Sequence, residues 1–416
     1  MSVIPILVFC VAALLLLMQA GFALVTTGLC RAKNAGQLVL GNLMIATVSI
    51  LAFWICGHAI MFGGHLFQTT GETAGGGSHL FVLQALLVSM AAVIPAGAMA
   101  ERWSFRNMVW YGFFAGALPI AIFGRWVWGG GWLAQLGQSC GLGQGVVDFA
   151  GSSVIHMSAG MMALAGSLVL GARAGKYSRD GRPRPMPGHN LVFVVIGTVI
   201  LFAGWFGFNA APALAGERLE VIVVNTLLAA VAGAFAAYAT TTAKFGKPDP
   251  SMICNGLLAG LVAISAACPF VNSIAAALIG AIAGFIVVHS VLFFEGKLKI
   301  DDPVGAISTH GVGGAWGLIS AGLFASGGGV SGAFGKVFGG PANDWSQLAA
   351  QCVGMMVCLL FVGGLAWVWF KISNLITPIR TRRDFETGGL DLPETGAECY
   401  PDFHLTDKSS INPPPL

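Results

Sequence analysis

Hydrophobic and polar positions alternate along this chain on a scale much longer than a helical turn. Apolar runs of about 20 residues, enough to cross a bilayer core of ~30 Å, are separated by short stretches that hold most of the charge. Eleven runs are predicted as membrane helices: 3–30, 37–62, 79–100, 107–126, 149–172, 191–214, 220–242, 252–270, 273–295, 303–325 and 347–375. The first begins at Val3 with no charged leader and no evident A-x-A-type cleavage site, so it reads as a membrane helix rather than a removed signal peptide.

The positions of the basic residues orient these helices. Arg31 and Lys33 follow the first run, Arg102 and Arg106 the third, and Arg173, Lys176, Arg179, Arg182 and Arg184 the fifth. Lys244 and Lys247, Lys297 and Lys299, and Arg380, Arg382 and Arg383 follow the seventh, ninth and eleventh. The opposite loops hold mainly Arg125, Arg218 and Lys336. The expectation is an N-terminus outside and a C-terminus inside, with a membrane domain over 1–376 and a cytoplasmic tail over 377–416.

Two stretches then stand out: DFAGSSVIHMSAG, from Asp148, and DPVGAISTHGVGG, from Asp302. Both read D-x-x-G-x-x-x-x-H-x-x-x-G. One opens the fifth run and the other the tenth, which enter the membrane from opposite faces, five runs apart. This is the pattern of an inverted 5+5 repeat with an eleventh helix left over. Eight residues at ~1.5 Å each carry the chain about 12 Å inward, so His156 and His310 are expected to meet near the midplane. Asp148 and Asp302 read as helix N-caps, alone or while also supporting a cation at the mouth. The glycines after them permit close helix packing.

Composition narrows the chemistry. The chain is 56% hydrophobic and 9% charged, against about 25% charged in an average soluble domain. Its net charge of +3 does not suggest nucleic acid as a partner. The nine cysteines are scattered without a C-x-x-C pair, so neither a disulfide framework nor a zinc site is supported. Two histidines alone do not close a metal site, and no third ligand is placed beside them by the pattern. No cofactor, metal or enzymatic constellation is expected. A shared proton between two ring nitrogens is the more economical reading, with a small polar permeant that can release a proton. His58 and His289 read equally well as packing residues.

Aromatic residues cluster in RWVWGGGWL and GWFGFN. Trp126 and Trp132 suit an interfacial belt. Trp128, beside the glycines, suits an exposed ring face for a desolvating cation, worth ~0.5–2 kcal/mol. Trp205, Phe206 and Phe208 lie within the sixth run.

With these residues in view, the sequence resembles the ammonium transporter family, the Amt/Mep/Rh superfamily, in its bacterial Amt type. The motifs run in the family's order: MQAGFAL, MAERWSF, VWGGGWL, DFAGSSVIH, GWFGFN, DDPVGAISTHG and GGLDLPETGAECY. The resemblance implies an all-α integral membrane protein of eleven helices, assembled as a homotrimer with one pore per protomer, multi-pass in the cell inner (plasma) membrane. It implies that His156 and His310 line the pore and that Trp128 recruits ammonium. It also implies that Asp148 supports that site, and that Trp205 and Phe208, followed by Asn209, wall the pore. The permeant would cross as ammonia plus a proton.

Four positions depart from the family pattern. Leu83 and Leu87 stand where two phenylalanines usually form a gate. Pro212 stands where a serine hydroxyl usually serves the recruitment site, and Thr26 where glutamate is often found. These departures raise a second function, a non-conducting ammonium sensor coupled to a cytoplasmic module. A PII-type regulatory protein, or a fused or associated signalling module, is the expected partner of the tail.

Overall fold

The architecture is taken from a computed structural model, which describes residues 4–69, 78–213 and 218–401. It is a bundle of helices: α1 (Ile4–Leu29), α2 (Ala32–Phe62), α3 (Ser78–Ala98), α4 (Phe105–Val127), α5 (Ser152–Leu170), α6 (Leu191–Ala213), α7 (Leu219–Phe245), α8 (Pro250–Ile264), α9 (Ser273–Gly296), α10 (Gly313–Phe324) and α11 (Trp345–Ile376). Two short helices, α12 (Arg383–Gly388) and α13 (Asp391–Thr395), follow in the tail. The only strands among the described residues are a two-residue pair, Ser326–Gly327 and Val330–Ser331.

Each expected run contains a helix, but they are not equal. Among the described residues nine helices are long and apolar enough to cross a membrane: α1 to α7, α9 and α11. The run expected over 252–270 is a helix only to Ile264. Its last carbonyls are taken by the chain entering α5: the Ser152 hydroxyl donates to Val262 O at 2.7 Å, and Ala150 N–H to Ser265 O at 2.9 Å. The run expected over 303–325 becomes α-helical only at Gly313, after a wide π turn over Ile307–Val312.

Apolar burial arranges the bundle, with large exposed side chains such as Phe9, Leu16, Val199, Phe235 and Ile274 on its perimeter. That is the inverse of a soluble protein and suits a lipid surround. Close pairing depends on small residues. On α6 a β-carbon at Gly197 would lie 2.8 Å from Gly21 O of α1, so only glycine lets these backbones approach.

Polar contacts tie the tail to one end of the bundle. Asp391 accepts the Gln37 N–H of α2 at 2.9 Å, and Glu394 accepts the Phe105 N–H that opens α4, also at 2.9 Å. Carboxylates are favourable at helix N-termini because four N–H groups there lack intrahelical partners. Nearby, Glu101 is paired with Arg31 and Arg173, Arg173 with Asp301, and Arg380 with Glu386.

Candidate functional site

The two D-x-x-G-x-x-x-x-H-x-x-x-G stretches fold alike. The Asp148 carboxylate accepts N–H groups from Gly151, Ser153 and Val154 at 3.1, 2.8 and 2.8 Å, and the Ser153 hydroxyl at 2.7 Å. The Asp302 carboxylate accepts N–H groups from Gly305 and Ile307 at 3.0 and 2.7 Å. Gly151 and Gly305 both hold positive φ, +110° and +77°, which an L side chain rarely adopts. Each stretch then enters a π turn, Ser152–Met157 and Ile307–Val312, that carries the histidine. π turns widen the helix and concentrate at functional positions.

The packing of the two stretches is reciprocal. A β-carbon on Gly160 would lie 2.1 Å from the Cα of Gly311, the residue after His310. One on Gly314 would lie 2.7 Å from the backbone nitrogen of Met157, the residue after His156. Backbone contact on both sides brings the imidazoles together. Nδ1 of His310 lies 3.2 Å from Nδ1 of His156, so one hydrogen can be shared between them. The rings are 5.2 Å apart and inclined by 27°.

Aromatic side chains wall this pair. Trp205 and Phe208 stack on His156 at 5.0 and 5.1 Å, and the Trp205 indole N–H donates to the Ser265 hydroxyl at 3.1 Å. Phe22 of α1 lies 5.9 Å from His310. Nε2 of His156 is buried and has no hydrogen-bond partner among the described residues. An unpaired buried nitrogen costs about 1–3 kcal/mol, so its direction marks a place where a small polar molecule would be welcome. No group of three or more His, Cys, Asp or Glu side chains suited to a metal occurs among the described residues.

A second cluster lies at the start of α5. The Trp128 indole N–H donates to the Asp148 carbonyl at 2.6 Å, which orients the ring. Gly151 lies beside that ring, and a β-carbon there would be 3.2 Å from it. Asp148 therefore fixes Trp128 with its main chain and the π turn with its side chain.

Other expected residues lie apart from these clusters. Asn209 is buried and gives its amide N–H to the Thr226 hydroxyl at 2.9 Å, which commits that donor to the α6–α7 contact. Leu83 and Leu87 are buried on α3, which packs against both π turns. Pro212 is exposed in the last turn of α6, and Thr26 is buried in α1. Trp126 packs on Phe361 at 4.4 Å, so it belongs to the α4–α11 contact more than to a surface belt, whereas Trp132 is exposed. His58 is buried among Phe53, Phe62 and Phe81, away from the pair, and His289 rests on Phe285. Phe22 and Ser265 were not singled out in the sequence. A hydroxyl or ring inside an apolar run is their only signal, and it is a weak one.

These features describe a multi-pass, all-helical membrane protein with a buried histidine pair at the crossing of two broken helices. The chain belongs to the Ammonium Transporter Family, whose model matches residues 6–400. This is a family of channels and transporters, not enzymes. Among curated relatives, the chain is 41% identical over 409 residues to ammonium transporter Amt2 of Archaeoglobus fulgidus, covering 95% of this chain and 87% of that one. Among solved structures, one titled Sensor Amt Protein is similar with a TM-score of 0.87 and 31% identity, covering 94% of this chain and 98% of its own. Saccharomyces cerevisiae Mep2 is similar with a TM-score of 0.77 and 25% identity, covering 91% of this chain and 89% of its own.

Proposed function

We propose that this chain conducts ammonium, as ammonia plus a proton, through a pore centred on His156 and His310 in a cell inner (plasma) membrane. The observation that carries the reading is the 3.2 Å Nδ1–Nδ1 contact, walled by Trp205, Phe208 and Phe22. A bare cation is costly in such surroundings, whereas neutral ammonia loses little and finds hydrogen-bonding partners along the imidazoles. Ammonium meets the Trp128 face outside and, past Leu83 and Leu87, passes its proton to the His156–His310 pair; ammonia crosses beside the imidazoles and takes up a proton released on the inner side. Asp148 and Asn209 hold the walls in place.

The topology we assign is eleven membrane helices, with α1–α5 and α6–α10 as inverted halves and α11 outside the repeat. The N-terminus is outside and the tail over 377–416 is inside, its residues 402–416 lying outside the described part. The reciprocal glycine contacts and the matched aspartate caps support the repeat, and the basic clusters support the orientation. We assign a homotrimer by family resemblance, with a PII-type protein or a signalling module as partner of the tail.

One specific set of residues favours a second reading, a non-conducting ammonium sensor. Leu83 and Leu87 have no π face, Pro212 has no hydroxyl, and the likeness to the structure titled Sensor Amt Protein spans nearly the whole chain. Ammonium-evoked current in vesicles separates the two. Current that disappears in His156→Ala and His310→Ala supports conduction, and a silent but ammonium-binding protein supports sensing.

A further inference from the structure

The aromatic wall beside His156 hangs on one hydroxyl, that of Ser265. This residue follows Ile264, the last of α8, and is wholly buried. Its hydroxyl donates to the Leu261 carbonyl at 2.9 Å and accepts the Trp205 indole N–H at 3.1 Å. An indole nitrogen is a donor only, and a buried one needs an acceptor. Among the described residues Ser265 is the acceptor that Trp205 has.

The two faces of the ring stack come from different helices, His156 from the π turn that opens α5 and Trp205 from α6. Both are registered on the same few residues at the end of α8. On the α5 side, the Ala150 N–H donates to Ser265 O at 2.9 Å, and the Ser152 hydroxyl accepts the Ala266 N–H at 2.7 Å. On the α6 side, the tie is the indole bond to the Ser265 hydroxyl. Ser265 therefore grips α5 by its main chain and α6 by its side chain. The outcome is a pair of rings 5.0 Å apart and inclined by only 20°. With its N–H committed to Ser265, Trp205 turns a ring face to His156, and His156 Nε2 has no hydrogen-bond partner among the described residues. An indole N–H released from Ser265 would seek another acceptor, and an unpaired nitrogen stands in the neighbouring ring.

We infer that Ser265 is a positioning residue: it holds Trp205 face-on to His156, keeps His156 Nε2 open, and sets the width of the passage beside that ring. The part that concerns width rests on the conduction reading above. A displaced Trp205 would discriminate less between ammonium and an amine larger by one methyl group.

The test uses the full chain in proteoliposomes and two readouts. Ser265→Ala removes the acceptor, and Ser265→Thr keeps the hydroxyl. The first readout is the imidazole ring-proton signals of His156 by NMR of histidine-labelled protein, assigned by their loss in His156→Ala. Protons stacked on an aromatic face are shielded, so these signals should move in Ser265→Ala and stay in place in Ser265→Thr. The second is the ratio of methylammonium to ammonium current. It should rise about two- to tenfold in Ser265→Ala, the range commanded by one hydrogen bond, and return to the wild-type value in Ser265→Thr. A merely structural role would lower the thermal midpoint and move neither readout. If Ser265→Ala does not fold, Ser265→Cys supplies a weaker acceptor and should give intermediate changes in both. Unmoved His156 signals in a folded variant overturn the positioning, whether or not the protein conducts. Moved signals with an unchanged current ratio overturn the role in selectivity. A wild type that conducts neither ion overturns conduction instead, and the His156 signals then still decide whether Ser265 positions Trp205.

Discussion

Gly160 and Gly311 meet backbone to backbone: a β-carbon on Gly160 would lie 2.1 Å from the Cα of Gly311. The next residue back from Gly311 is His310, so this contact sets how deeply the second histidine reaches toward the first. Gly160→Ala should force the π turn away and cost about 1–3 kcal/mol, as other overpacked sites do. Thermal unfolding in detergent would show a lowered midpoint, and an unchanged midpoint would refute the close approach.

The role of the histidine pair should be separable from folding. His156→Ala and His310→Ala each remove one partner of a 3.2 Å contact. Each leaves the other histidine's buried Nδ1 without its partner, which costs about 1–3 kcal/mol and lowers the midpoint without unfolding the protein. Both variants should remain folded by size-exclusion and thermal unfolding while ammonium binding or current changes. Unchanged binding and current in both would remove the pair from the site.

Trp128 should govern affinity from the outer side. Trp128→Leu removes a ring face worth ~0.5–2 kcal/mol to a desolvated cation, or roughly a two- to thirtyfold weakening of half-saturation by external ammonium. It also frees the Asp148 carbonyl from its 2.6 Å donor. A concentration series of external ammonium reads this shift, and an unmoved half-saturation would contradict the recruitment role.

Acid should loosen the end of the bundle that carries Asp301. Hydrogen bonding and charge from Arg173 and Arg102 overcome the burial that opposes ionisation, and hold the Asp301 carboxyl down to about 2, from 3.8. Because the folded value is the lower one, its stabilisation is complete above about pH 4 and disappears as pH falls toward 2. The shift corresponds to about 2 kcal/mol for this buried group. Thermal midpoints measured between pH 5 and pH 2.5 should fall more steeply in wild type than in Asp301→Asn.

Much of this could be read from the chain because membrane helices are long and their charges few. The eight-residue spacing from Asp148 to His156, repeated from Asp302 to His310, was enough to pair two residues 154 positions apart. What escaped was local geometry and long-range capping. No periodicity distinguishes the π turns at Ser152–Met157 and Ile307–Val312 from α-helix, since the difference lies in which carbonyl each N–H reaches. The shortened α8 depends on Ser152 taking the Val262 carbonyl, and Glu394 caps α4 from 289 residues away. Phe22 escaped because one ring in an apolar helix resembles any other.

The leucines on α3 bear on rate. Leu87→Phe places an aromatic face on α3 at a position that the family resemblance assigns to the gate, and should raise ammonium current above wild type. Equal current would mean that the aromatic face does not limit entry.

The most direct measurement is ammonium-evoked current from the intact chain in proteoliposomes, compared with a relative that carries both phenylalanines and with the double variant His156→Ala/His310→Ala. Conduction through the histidine pair predicts a small, saturable current that is weaker than the relative's and lost in the double variant. Absence of any current above protein-free vesicles, with ammonium binding retained, would contradict it.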